Sequence, residues 1–376
     1  MTPIPTIEAE VFLNCQNELG EGILWDSKRQ LLHWIDINRS ELHTLDTETK
    51  AHHIDHYPES EYLSMIALQE DKPEVCCAPI QVLVLSHFNL QLLATLSHSL
   101  VLLPSPQTPT AIHPDKPTFT VQKSLKTLSE PLPMDPELKS KTRFNDGGCD
   151  PAGRILYGSM TLPELKDGVK RGELWRLDTE GKEERVLDGV VTSNGIGWSP
   201  DHKTMCETAV RIRLYPTADL SVDYIDSGSD LISSFDYDLS TGKLSNRKTL
   251  VPSPPPLDEH TPTGGIFDGL TIDGLGNIWA ARWKDQRVLG YTPRGELIVQ
   301  IKMPKCYSPT IPCFGGRNLD TMYITTATTK LADKGDIQAQ FPHSGDLFKV
   351  DFSAGSEVRK YLAEGWKGAE RYRFAG

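Results

Sequence analysis

Apolar residues along this chain fall in short runs rich in Ile, Val, Tyr and Trp, and turns bearing Asp, Gly or Pro separate the runs. Examples are LLHWIDI (31–37), RILYGSM (154–160), GELWRLD (172–178), SSFDYDL (233–239), NIWAARW (277–283), TMYITTA (321–327) and GDLFKVDF (345–352). Brief aromatic and β-branched runs between turn signals predict strands. Stretches with a helical 3.6-residue period are scarce, so helices are expected to contribute little.

The runs repeat. A turn bearing Asp, and often Gly, precedes a strand with an aromatic near its middle, as in DPAGRILYGSM, DGLGNIWAARW and, more weakly, DSKRQLLHWIDI. A second unit reads G-x-L-x-x-x-D and then a turn, as in GELWRLDTEGK and GDLFKVDFSAG. Short strands recurring at about 40 to 50 residues are the signature of propeller blades. The alternatives are a β-sandwich or two separate β domains, and the repeat favours an all-β propeller spanning 1–376 as one domain. The proline-rich stretches 104–136 and 252–262 read as loops, because similar strand units continue on both sides.

Charge and composition narrow the partners. The formal net charge of -12 argues against a nucleic-acid partner, which would need clustered Lys and Arg. Seven cysteines, at 15, 76, 77, 149, 206, 306 and 313, contain no C-x-x-C pair and read as reduced, buried thiols. The opening residues MTPIPTIEAEVF have no basic start followed by an apolar stretch, so a cytoplasmic location is expected. Residues 82–103 are long and apolar but include His87, Asn89, Gln91 and His98, each costly in lipid, so no membrane span is expected.

Several familiar chemistries are missing from the sequence. It has no G-x-S-x-G elbow, no H-E-x-x-H, no P-loop and no EF-hand loop. What remains is a set of polar residues placed just before glycines at the start of apolar runs. Glu21 lies in ELGEGILWD, Arg143, Asn145 and Asp146 in TRFNDGGCDPAGR, Asn194 in TSNGIGWSPD and Asp268 in IFDGLTIDGLGNIW. The inner strands of a propeller line a central channel, so such residues could converge there. Glu, Asn and Asp oxygens are hard donors suited to calcium, magnesium or manganese. The competing reading is plain turn chemistry, since Asn-Gly and Asp-Gly tolerate positive φ. Glu21 between two glycines has no such local advantage. Residue patterns alone leave the function open at this point.

Taken together and in order, these segments resemble the family of senescence marker protein (regucalcin), gluconolactonases and luciferin-regenerating enzymes. The matching stretches are LGEGILWD with LLHWIDI, RFNDGGCDPAGRILYGSM, SNGIGWSPDHKTM, YIDSGSDLISSFDYDLSTGKLSNRKTL, FDGLTIDGLGNIWAARW, CFGGRNLDTMYIT and YRFAG. FDYDLSTGKLSNRK and CFGG point to the regucalcin-like branch. The resemblance implies a six-bladed propeller with one divalent cation, whether calcium, zinc, manganese or magnesium. It places the metal ligands on Glu21, Asn194 and Asp268 and the substrate contacts on Arg143 and Asn145, and it makes Asp268 the proton acceptor and donor. A further substrate-contacting Glu of the family falls near Glu164, displaced by about one position. The implied activity is hydrolysis of small sugar lactones, the metal polarising the lactone carbonyl and activating water. No obligate protein partner is implied. Two other readings share the same site: a non-catalytic calcium-binding regulatory protein, and an interaction module with a vestigial site. Arg143 and Asn145 favour catalysis, because a cation buffer needs no clamp for substrate hydroxyls.

Two stretches depart from the family pattern. CETAVRIRLYPTADLSV (206–222) separates SPDHKTM from DYIDSGSD, and VLVLSHFNLQLLATLSHS (82–99) parts CCAPIQ from LVLLPSP. Both are expected to lie outside the sheets or to distort the strands they enter. Translated intron sequence and genuine loops are both open as their origin.

Overall fold

The strands predicted from the apolar runs are present. In the computed structural model they form antiparallel sheets in which most neighbours in sequence are neighbours in space. The structure describes residues 4–70, 91–110, 118–121, 125–131, 140–162, 172–210, 230–255, 265–331 and 337–376. Within these residues helix is limited to two short 3-10 turns, Thr329–Leu331 and Val358–Tyr361. No helix among them is long and apolar enough to cross a membrane.

One sheet runs outward from Gly20–Asp26 through Leu31–Asp36 and Glu41–Asp46 to His52–His56. Others start at Leu63–Leu68, Ile266–Ile272 and Ser308–Gly315. An eight-stranded sheet contains two such meanders, one beginning at Thr142–Cys149 and one at Thr192–Trp198, joined only where Met160 pairs with Thr192. The first strands of these meanders lie side by side in a closed circuit. Gly20–Asp26 neighbours Leu63–Leu68, then come Thr142–Cys149, Thr192–Trp198, Ile266–Ile272 and Ser308–Gly315, and the last packs back on the first. Glu10–Leu13 pairs antiparallel with Leu347–Asp351, so a strand from near the start of the chain completes the sheet that begins at Ser308.

Burial follows this geometry. Inner strands such as GEGILWD and SPTIPCFG are buried at every position, because neighbouring sheets cover both faces. The outer strand Lys243–Pro252 is mostly exposed. Bulky side chains fill the spaces between adjacent sheets. Trp279 and Phe314 meet edge to face at 6.1 Å, and Trp279 meets Phe352 at 5.0 Å. The five described cysteines, Cys15, Cys149, Cys206, Cys306 and Cys313, are all buried, and none is in a disulfide. Cys76 and Cys77 lie outside the described residues.

Three expectations need correction. Leu92–Leu96, inside the stretch expected to lie outside the sheets, is a buried strand that pairs with Leu63–Leu68 on one side and Ser99–Leu103 on the other. Its apolar residues alternate in register with both partners, and Ser97-His98 makes the hairpin turn. Residues 82–90 lie outside the described residues. Likewise Cys206–Val210 belongs to strand Thr204–Val210, which pairs with Thr192–Trp198 and Leu231–Asp238, whereas 211–222 lies outside the described residues. The proline-rich stretch 104–136 is not all loop: Thr118–Thr120 runs parallel to His52–His56, and Lys126–Ser129 pairs with Ser99–Leu103.

Candidate active site at the centre of the ring

Glu21, Asn194 and Asp268 each sit on an inner strand, as do Arg143 and Asn145. Their X-Gly dipeptides are not turns. Each of these strands has a register shift at this level, between Glu21 and Leu24, Phe144 and Gly147, Ser193 and Ile196, and Phe267 and Leu270. Such a bulge re-aims the side chain at its crest. The glycines serve close approach between neighbouring strands. A Cβ on Gly195 would lie 2.2 Å from the backbone nitrogen of Leu270, and one on Gly269 would lie 2.3 Å from Cβ of Ile311. Asn194 and Asp268 are thus carried on strands whose backbones touch.

The side chains interlock. Arg143 Nη1 donates to the carbonyl oxygen of Phe144 at 2.8 Å and to Asn145 Oδ1 at 2.8 Å. Asn145 Nδ2 donates to Asn194 Oδ1 at 2.6 Å and to the carbonyl oxygen of Ser193 at 2.9 Å. One chain of bonds therefore fixes the predicted substrate contacts against a predicted ligand. Glu21 Oε2 accepts from its neighbour Gly22 N at 3.1 Å. Behind Asp268, Thr208 Oγ1 donates to the Asp268 carbonyl oxygen, and Asp230 accepts from Phe267 N at 2.6 Å. Asp230 is in turn held by Arg282 Nη1, with bonds of 2.8 and 2.7 Å to its two oxygens. Glu164 lies outside the described residues.

These residues sense one another's charge. Burial, then repulsion from Asp268 and from Asp146, hold Glu21 well above its ordinary 4.5. Burial and Asp146 hold Asp268 well above 3.8. Burial pushes the buried Arg143 guanidinium down to about 10, against the opposing pull of Tyr62, Glu21 and Asp268. Asp146, one of the polar residues the sequence placed ahead of a glycine, received no role from the family resemblance. It is a third buried carboxylate whose charge reaches both Glu21 and Asp268, and its own pKa is raised by burial. Its signal was present in Asn-Asp-Gly, but a turn reading accounted for it there.

Do these residues suit a divalent cation? All the candidate donors are oxygens, which matches a hard ion. The Asp268 carboxylate makes no hydrogen bond among the described residues, although it sits in a buried and acidic setting. Among the described residues no cluster of three or more His, Cys, Asp or Glu is poised to hold a metal, so the set needs the Asn194 carboxamide as a donor. That oxygen already accepts from Asn145, and its second lone pair remains for a cation. The residues fit.

The sign of the pH effect follows. A carboxyl whose folded pKa is raised contributes stability that is fully present below its unfolded pKa and lost as pH rises through the folded value. Cation-free protein is therefore expected to lose stability as pH climbs above the ordinary carboxyl range, through the raised values of Glu21 and Asp268. Calcium should restore more at the upper end of that window. Thermal melts with and without calcium, from about pH 5 to 8, test this, and a calcium increment that does not grow with pH would refute it.

A closed circuit of β sheets around an acidic, oxygen-lined centre defines a propeller-type protein. The chain belongs to the SMP-30/Gluconolactonase/LRE-like family, whose profile matches residues 19–328. It is 30% identical over 352 residues to the pentonolactonase XacC of Haloferax volcanii, covering 93% of this chain and 95% of that one. It is 34% identical over 241 residues to regucalcin of Sus scrofa, covering 63% of this chain and 68% of that one. The structure of a calcium-binding protein, regucalcin, from Agrobacterium tumefaciens superposes with a TM-score of 0.71 at 20% identity, covering all of both chains, which shows a shared fold.

Proposed function

We propose that the chain is a single six-bladed propeller that hydrolyses small sugar lactones with one divalent cation held by Glu21, Asn194 and Asp268. The observation that carries this is the placement of two buried, mutually repelling carboxylates with the Arg143–Asn145–Asn194 bonded chain. The lactonase named among the relatives supports the substrate class. The closed circuit of inner strands, each opening one meander, supports six blades.

A cation in this site would supply Lewis acidity toward an ester carbonyl. Asp268 takes a proton from the attacking water and returns it to the ring oxygen that leaves. Among the described residues every hydrogen bond of Arg143 uses Nη1, so the other edge of its guanidinium is the one that meets a substrate oxygen. Asn145 is held in one orientation by its bonds at both ends and orients the lactone without adaptive cost.

The test is a pH-indicator assay over a panel of sugar lactones, after chelation and again after adding back single divalent metals. Metal-dependent turnover supports the reading. Tight calcium binding with no turnover on any lactone would favour the calcium-binding regulatory reading that the regucalcin relative keeps open. Asn145→Ala separates the roles further. It should retain cation affinity within a few-fold and lower kcat/KM by about 10- to 100-fold, since it removes positioning and not a ligand. A variant that loses cation binding and turnover in equal measure would make Asn145 part of the cation site.

A further inference from the structure

Arg143 is anchored through one nitrogen. Its Nη1 donates to the carbonyl oxygen of Phe144 and to Asn145 Oδ1, and it lies 3.5 Å from Ser64 Oγ. Bonds gathered at a single atom define the position of the guanidinium better than its plane. The face of the group is covered by an aromatic ring: Arg143 Cζ lies 5.3 Å from the ring centre of Tyr62. That is within the range at which a guanidinium is drawn to a π face, and the burial of Arg143 strengthens the attraction.

Tyr62 is itself held. It is half-buried and packs on the apolar core between the first two meanders. Its carbonyl oxygen accepts from Ser60 Oγ at 2.8 Å and from Ser97 N at 2.9 Å. The one hydroxyl proton of Ser60 is engaged there, so Ser97 donates in the 3.2 Å contact between the two serine hydroxyls. The Ser97-His98 turn then reaches the next meander on both sides of Arg143. The Ser97 carbonyl oxygen accepts from Phe144 N at 2.8 Å, and His98 Nε2 lies 2.6 Å from the Thr142 carbonyl oxygen. A carbonyl only accepts, so His98 carries a proton on Nε2. One hairpin tip therefore ties the backbone of Tyr62 to the backbone flanking Arg143.

We propose that Tyr62 is a positioning residue for Arg143: its ring, fixed by the Ser97-His98 turn, sets the plane of the guanidinium so that the edge away from Nη1 meets a substrate oxygen in one orientation. The inference rests on the lactone-hydrolase reading above and deepens it. Without the ring, the guanidinium must be ordered when substrate arrives, and that cost weakens the binding of substrate and transition state alike. Arg143 is not among the proposed ligands of the cation, so cation affinity should not follow.

The test is steady-state kinetics with calcium on D-glucono-1,5-lactone, or on the fastest lactone of the panel where that one is not turned over. Wild type, Tyr62→Phe and Tyr62→Leu are compared, with calcium calorimetry on each. Phe keeps the ring, and Leu keeps apolar bulk alone. Tyr62→Leu should lower kcat/KM roughly tenfold, mostly through a higher KM, and Tyr62→Phe should stay within about twofold of wild type. Both should bind calcium within about twofold of wild type. In an Arg143→Lys background no planar group is left to fix, so Tyr62→Leu should cost less than about twofold there. A merely structural role would cost the same in both backgrounds, and that result overturns the inference. An equal loss in Tyr62→Phe also overturns it, by moving the role from the ring to the hydroxyl. Calcium affinity lost along with turnover in Tyr62→Leu overturns it too, because Tyr62 would then support the whole site. Should Tyr62→Leu melt below the assay temperature, Tyr62→Met, which also lacks the ring, takes its place. A wild type that turns over no lactone overturns the proposed function and this inference with it. Turnover by wild type that Tyr62→Leu leaves unchanged overturns this inference alone.

Discussion

Replacing Asp268 with alanine is expected to remove lactone turnover by at least ~10³-fold and to abolish measurable cation binding. Two functions leave together because one side chain serves both: it is a donor of the cation set and the group that exchanges the proton with water. The fold should survive. Asp268 makes no side-chain hydrogen bond among the described residues, and its carboxylate is repelled by Asp146 and Glu21. Its loss therefore relieves repulsion, and the cation-free variant should melt no lower than cation-free wild type. The measurements are the lactone assay, calcium calorimetry and a thermal melt on the same preparation. A variant that turned over lactone at near wild-type rate would sink the mechanism, whatever its cation affinity. Asp268→Asn sharpens the result, because it keeps an oxygen donor without the base and should retain weak binding with no turnover.

Gly195→Ala is expected to carry the largest stability cost of any single-methyl addition at the site. The new Cβ would sit 2.2 Å from the Leu270 nitrogen and 2.8 Å from the Gly269 carbonyl carbon, and both are backbone atoms that no rotamer change can move. The two inner strands must separate, at about 1–3 kcal/mol or more, and separating them pulls Asn194 away from Asp268. Lower melting temperature and loss of calcium affinity should therefore appear together. Gly148→Ala is the control, since its nearest neighbour would be Trp198 Cζ3 at 3.8 Å, ordinary contact distance. It should stay within about 0.5 kcal/mol of wild type. A Gly195→Ala protein with unaltered melting and binding would show that these strands do not need the close approach.

The elements were legible where the pattern was strong. Runs such as LLHWIDI and NIWAARW became Leu31–Asp36 and Ile278–Trp283 because strands buried on both faces favour mostly apolar residues. The site residues were legible as a set of X-Gly dipeptides, but their local structure was not. Turn chemistry and close backbone approach both call for glycine, and the sequence does not separate them. Asp146 was named among these residues but left without a role for the same reason: Asn-Asp-Gly satisfies a turn as well as it supplies a buried carboxylate. Leu92–Leu96 was misplaced because LLATL and SLVLL both carry strand signals on the two sides of one Ser-His turn.

By itself the sequence determined the all-β character, the repeat of short strands and the oxygen-rich donor types, because local propensity and hydrophobic spacing act over a few residues. Tertiary structure alone decided which polar residues meet. Glu21, Asn145, Asn194 and Asp268 are brought together by closure of the inner-strand circuit, and the charges sensed at Glu21 come from strands far away in the chain. Charge interactions depend on distance and burial in space, and neither is encoded in separation along the chain.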